Sequence, residues 1–124
     1  MFWKLSLRNN PGLQAENQAL RYLKQQGLKS VARNFACKSG EIDLIMLDNE
    51  KLIFIEVRFR SKSHFGSAAQ TINHHKQTKI RKTAAVYLQN HRQHNHRICR
   101  FDVIAIDNSD AKYENTLKWI KNAF

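Results

Sequence analysis

The stretch Gly40-Glu41-Ile42-Asp43-Leu44-Ile45-Met46-Leu47-Asp48-Asn49-Glu50-Lys51-Leu52-Ile53-Phe54-Ile55-Glu56-Val57-Arg58 holds two alternating runs around a polar tetrapeptide. Runs of this length with β-branched and aromatic residues, separated by Asp48-Asn49-Glu50-Lys51, predict a β-hairpin. Folding the chain at Asn49-Glu50, or at the four-residue loop around it, pairs residues whose numbers add to 99. That register sets Glu41 against Arg58, Asp43 against Glu56, Ile45 against Phe54 and Leu47 against Leu52, all on one face. The other face, Ile42, Leu44, Met46, Ile53, Ile55 and Val57, is wholly apolar. Both faces need protein cover, so the hairpin is expected to be a central pair whose charged end opens to a cleft.

Upstream of the hairpin, Asn10-Pro11-Gly12 reads as a turn that opens a helix from about Leu13 to Gln26, closed by Gly27 as a C-terminal cap. Lys29 to Phe35 predicts a short strand. Beyond the hairpin, Ser61 to Gln70 reads as a loop, and Thr71 to Asn90 as a helix with Ile80, Ala84, Tyr87 and Leu88 on one side. His91 to His96 is a polar connection, Arg100 to Ile106 a buried strand, and Tyr113 to Ile120 a weaker final strand. The order α-β-β-β-α-β-β predicts an α/β fold with a mixed central sheet flanked by helices. With 124 residues and no repeat or linker, residues 1–124 are read as a single domain.

Composition narrows the function. A hydrophobic share of 42% with only five Gly and Pro excludes collagen-like and disordered chains. No apolar run reaches the roughly 18 residues of a membrane span, and two cysteines make no disulfide framework, so a cytoplasmic protein without a membrane partner is expected. Lys and Arg number 21 against 10 Asp and Glu, a net charge of +11, and Val57 to Phe101 contains ten of those cations and no acid. A field this lopsided favours a polyanion, nucleic acid first and DNA above all. A merely soluble basic surface is the bland alternative.

Within the hairpin, Asp43 opposite Glu56 is the anomaly, because like charges about 5 Å apart across a strand pair repel. A shared proton, a neighbouring Arg58 or Arg60, or a divalent cation between the oxygens would offset the repulsion. A charge network without chemistry, Glu41 pairing with Arg58 while Asp43 rides along, is the structural alternative. On a helical wheel of about 100° per residue, Glu16 falls inside the apolar stripe of Leu13, Ala19, Leu20 and Leu23, between Leu20 and Leu23. If that helix packs over the hairpin, Glu16 becomes a third oxygen donor; otherwise it snorkels or meets an arginine. Three carboxylates beside a basic flank point to phosphodiester hydrolysis assisted by Mg²⁺ or Mn²⁺.

Ala32-Arg33-Asn34-Phe35, Gly40-Glu41-Ile42-Asp43-Leu44-Ile45, Phe54-Ile55-Glu56-Val57-Arg58, Arg100-Phe101-Asp102-Val103 and Asn122-Ala123-Phe124 together resemble the YraN family of uncharacterised bacterial proteins. More distantly, they are similar to nucleases of the PD-(D/E)xK class, archaeal Holliday junction resolvases among them. The resemblance implies a restriction-endonuclease-like fold and a metal-dependent endonuclease acting on DNA, branched DNA included. It makes Asp43 and Glu56 the paired metal ligands and Glu16 the helix acid. Arg58 stands where the motif has lysine, and a guanidinium with a pKa above about 12 cannot be a general base. That departure leaves Arg58 an electrostatic role and keeps open a module that has the nuclease fold without turnover. Gln77 and Lys76 lie near the second helix start, where the resemblance places a polar residue that orients substrate or water.

Arg60, Lys62, Lys76, Lys79, Arg81 and Lys82 are the candidate phosphate contacts, with His74-His75 beside them, against a solvated helix face as the alternative. His91, His94, His96 and Cys99 have the residue types of a zinc site, at a spacing that matches no common zinc motif. Trp3, Phe59, Phe65 and Trp119 are either base-stacking or core. Asp102, between apolar strand residues, reads as structural. No nucleophile elbow or Gly-rich phosphate loop occurs. An assembly or ribosome-associated factor using the basic face is a further class, separable by salt dependence.

Overall fold

A computed structural model describes residues 11–60, 72–108 and 115–124. Helix α1 (Pro11–Gln25) leads into strands β1 (Lys29–Cys37), β2 (Gly40–Asp48) and β3 (Lys51–Arg60). Helix α2 (His74–Asn90) and a 3-10 turn (Arg92–His94) follow, then β4 (Cys99–Asn108) and β5 (Asn115–Ile120). The strands form one sheet in the order β1-β2-β3-β4-β5, antiparallel except for the parallel β3–β4 pair that α2 connects. This is the expected α/β arrangement, a mixed sheet with a helix on each face, consistent with a restriction-endonuclease-like fold.

Local chemistry explains the boundaries. Pro11 and Gly12 lie inside α1 rather than in a preceding turn, because proline's missing N–H goes unused at the first helical position. Gly27 adopts φ +99°, with Leu28 N–H bonded to the Leu23 carbonyl at 3.1 Å and Gly27 N–H to Lys24 at 3.0 Å. These two bonds form a Schellman cap, and Leu23 and Leu28 meet in the core beneath it. Helix α2 starts at His74, later than the expected Thr71, because Asn73 Oδ1 accepts the Lys76 N–H at 2.8 Å and caps it. The expected loop Ser61 to Gln70, Thr71 and the first residues of the last predicted strand, Tyr113 and Glu114, lie outside the described residues.

Two cores sandwich the sheet. Ala15, Ala19 and Leu23 of α1 pack on Leu44, Met46, Ile53, Ile55, Ile104 and Ile106. Ile80, Ala84 and Tyr87 of α2 pack on Ile42, Ile45, Leu52 and Phe54. Alternation predicts Ile42 on the same face as Leu44 and Met46, yet it lies on the opposite one. A regular pleat cannot place Ile42 and Ile45 together, so β2 changes phase between them. The change coincides with Asp43.

Candidate functional site

The 99 register runs from Asp48 opposite Lys51 to Leu44 opposite Ile55 and ends there. Asp43 and Glu56 are therefore not a ladder pair as the alternation implied: the pairing of β2 with β3 stops just before them. In the opening, Val57 N–H donates to Asp43 Oδ2 at 2.8 Å. A side-chain oxygen thus replaces a ladder acceptor and anchors the carboxylate between the strands.

The acids still converge there. Glu56, 5% exposed, lies within hydrogen-bonding reach of Asp43. Burial, then the Glu56 charge, pushes the Asp43 carboxyl up to about 7, against the lowering effect of the Val57 N–H. Glu16 comes in from α1, and its carboxyl is also pushed up, by burial and then by the charge of Asp43. Glu41 adds to the repulsion on both.

Cations answer from both sides. Glu56 Oε2 lies 3.5 Å from Arg58 Nη1 and 3.5 Å from Lys76 Nζ, so α2 delivers an ammonium to the acid borne by β3. Arg33 Nη2 lies 3.6 Å from Glu16 Oε1 and donates to Asn17 Oδ1 at 2.9 Å. The Asn34 side chain comes within reach of Glu16 and, with Arg33, favours the charged form of that acid. Among the described residues, no three His, Cys, Asp or Glu side chains form a ready-made metal cage. The arrangement is two close carboxylates with a third further out.

The structure brings Asp43, Glu56, Arg58, Glu16 and Lys76 together. Gln77 Nε2 donates to the Ile72 carbonyl at 3.4 Å, which braces the helix start. His75, Lys79 and Lys82, spaced i, i+4 and i+7, form an exposed stripe along α2 beside Lys76. Arg81 is exposed, and its guanidinium carbon stands over two rings, 5.1 Å from the Phe101 centroid and 5.4 Å from that of Phe124. Arg60 is half-buried at the end of β3, and Lys62 lies outside the described residues.

Other readings are settled by hydrogen bonds. Asp102 is fully buried and accepts from Arg100 Nε (2.8 Å), Arg100 Nη2 (2.9 Å), Trp119 Nε1 (2.9 Å) and Asn122 N–H (2.9 Å). It ties β4 to β5 and the chain end. Trp119, held there and edge-on to Tyr22 at 6.2 Å, is a packing residue, as is Phe59 on the α1 core. Trp3 and Phe65 fall outside the described residues. The zinc string does not assemble: His94 Nδ1 accepts from Arg97 Nε at 3.0 Å and His91 Nδ1 bonds the Tyr87 carbonyl at 2.8 Å.

Sequence reasoning assigned Arg33 and Asn34 no role. Two consecutive polar residues inside a strand, one of them Asn, which takes a left-handed backbone more readily than most residues other than glycine, were the available signal.

A profile of the uncharacterised protein family UPF0102 matches residues 15–106, a span that contains every acid of the site. A UPF0102 protein of Psychromonas ingrahamii is 48% identical over 97% of this chain and 93% of its own length. One of Alcanivorax borkumensis is 43% identical over 97% of this chain and 95% of its own, and one of Pseudomonas syringae pv. tomato is 41% identical over 96% and 95%. Among the described residues no helix is long and apolar enough to cross a membrane. With likeness running the length of both partners, the chain belongs to the uncharacterised protein family UPF0102, the YraN family to which its motifs pointed.

Proposed function

We propose that this protein is a metal-dependent nuclease that hydrolyses phosphodiester bonds in DNA, branched DNA included. The observation that carries the reading is the Asp43–Glu56 contact, two acids pressed together in a partly dry opening with Glu16 and Glu41 beside them. Acids held together against their own repulsion mark sites where charge is put to use.

The donors suit a hard divalent cation. They are carboxylate oxygens alone, and Mg²⁺ in particular is held by one or two carboxylates, with water and substrate phosphate filling the other positions. Asp43 and Glu56 would hold Mg²⁺ or Mn²⁺, with Glu16 assisting from α1. When bound, such an ion supplies Lewis acidity toward a phosphodiester and lowers the pKa of water. The chain's own cations do the rest. Arg58 and Lys76, both at Glu56, offset negative charge growing on the phosphoryl oxygens. Lys76 also returns to the site the ammonium that Arg58 cannot be. The His75-Lys79-Lys82 stripe then offers phosphate contacts leading away from the acids, which position a duplex without reading its sequence. Two unpaired thiols, Cys37 and Cys99, suit the reducing cytoplasm, where we place the protein.

A second reading, a nucleic-acid-binding module without turnover, is favoured by one observation. Glu56 Oε2 is shared by Arg58 and Lys76, which satisfy the acid without any ion. The deciding experiment is cleavage of labelled linear, single-stranded, flapped and four-way-junction DNA with Mg²⁺ or Mn²⁺, wild type against Glu56→Ala. Cleavage lost in the variant supports the nuclease. Salt-sensitive binding with no cleavage by either protein transfers the conclusion to the binding module.

A further inference from the structure

Strand β1 breaks its own alternation at the level of Asp43. Ala32 and Phe35 both lie on the α2 face, Phe35 edge-on to Tyr87 at 5.0 Å. Between them, Arg33 and Asn34 both reach Glu16 on α1, although successive residues of a regular strand point to opposite faces. Asn34 makes this possible with φ +52°, a left-handed backbone inside a strand. The break is matched across the ladder. Arg33 pairs with Leu44 and Phe35 with Ile42, while Asn34 and Asp43, between those pairs, have no pairing of their own. Leu44 faces α1 and Ile42 faces α2, so β2 loses phase over the same step. One paired kink therefore sends Phe35 and Ile42 to one helix, frees Asp43 to turn into the β2–β3 opening, and presents Asn34 to Glu16.

We infer that Asn34 is the positioning residue of the carboxylate site, its left-handed backbone setting the kink that aims Asp43 and its amide fixing Glu16 beside it. This deepens the metal-site reading above and rests on it for its consequence, though the geometry is testable without any metal. Asn34 touches no substrate in this role; it acts through the two acids. A regular β1 would carry Phe35 to the α1 face, away from Tyr87, and leave Glu16 to Arg33 alone.

Three substitutions separate the two tasks. Asn34→Gly keeps the left-handed backbone and loses the amide. Asn34→Asp tolerates the backbone but sets a like charge against Glu16. Asn34→Ala disfavours the backbone and loses the amide. The metal-free readout of the kink is the Val57 amide resonance, which reports the bond to Asp43. It is expected to hold its position in Asn34→Gly and to move in Asn34→Ala. In metal-free urea unfolding, Asn34→Gly and Glu16→Ala should be non-additive, because each removes the same contact. Mn²⁺ affinity by calorimetry should fall about 10-fold in Asn34→Gly, the scale of losing a partner that orients a ligand.

A Val57 resonance indifferent to Asn34→Ala, additive effects in the urea cycle, or Mn²⁺ binding equal in wild type, Asn34→Gly and Asn34→Asp would each overturn the assignment. Should Asn34→Ala not fold, the urea cycle still decides, since glycine is at ease with this backbone. A wild type that takes up no Mn²⁺ while the Val57 response and the coupling persist would overturn the metal site and leave Asn34 as the residue that shapes the opening.

Discussion

Neutralising Asp43 should make the metal-free protein more stable at neutral and alkaline pH. In the folded chain, burial and then Glu56 hold the Asp43 carboxyl up to about 7, from an ordinary value of 3.8. The folded state therefore binds a proton that the unfolded state has released. The resulting stabilisation is fully present below pH 3.8 and is lost as pH rises through about 7. A gap of about three units at ~1.36 kcal/mol each sets a ceiling of about 4 kcal/mol on the loss. Local relaxation and entry of water into the opening reduce this to an expected ~2 kcal/mol, still a large fraction of the ~5–15 kcal/mol of a small domain. Asp43→Asn keeps an oxygen for the Val57 N–H and does not titrate. The assay is urea unfolding of both proteins in chelator between pH 4 and 8.5, read as the difference between them so that the other groups cancel. The variant should gain on wild type steadily from pH 4 to 7, then run parallel. Mn²⁺ at 100 times its dissociation constant should return about 2.7 kcal/mol to the wild type and little to the variant. A difference that stays flat with pH, or runs the other way, refutes the claim that Asp43 is held against Glu56 in a partly dry opening.

Asp102→Ala leaves the Arg100 guanidinium buried without its main partner, and should lower stability by about 3–5 kcal/mol with a fall in the urea midpoint. Phe54→Ala empties the centre of a ring cluster in which Phe101 stacks at 5.5 Å and Tyr87 stands edge-on at 6.2 Å, and about 3–5 kcal/mol should again be lost in the same measurement. If DNA lies along α2, the pair Lys79→Ala and Lys82→Ala should flatten the dependence of log affinity on log salt by about 2 in a fluorescence titration, with no change in base preference. Lys76→Met, by contrast, should slow cleavage more than it weakens binding, because its ammonium sits on Glu56 and not on the open stripe; an equal loss in both would remove it from the reaction.

Much of the fold was legible because its signals are local. The Schellman closure at Gly27 follows from glycine after an amphipathic run, and the β2–β3 turn from Asp48-Asn49-Glu50-Lys51; Asn49 indeed takes φ +56°. The 99 register holds wherever apolar residues enforce it, from Leu47 opposite Leu52 to Leu44 opposite Ile55. It fails where apolar pairing stops. Beyond Leu44 the next residue is a carboxylate, and its best partner is the Val57 N–H rather than a place on a face. Period-2 reasoning assumes an unbroken pleat, so it puts Ile42 on the wrong side and treats Asp43 and Glu56 as ladder neighbours.

The wheel that singled out Glu16 illustrates how the two kinds of information differ. Its place in the apolar stripe identified a carboxylate obliged to find a partner, which is a statement about one helix. Which partners it finds depends on α1 lying over Leu44 and Ile55, the face opposite the one where alternation had put Asp43. On a regular sheet the two acids would have been separated by the thickness of the strands. They meet because β1 and β2 lose phase together at Asn34 and Asp43, and that coincidence is invisible to any pattern read along one segment at a time. The kink is the step that converts two ordinary strands into an opening with acids on both sides, so the residue that permits it bears on the chemistry as directly as the acids themselves.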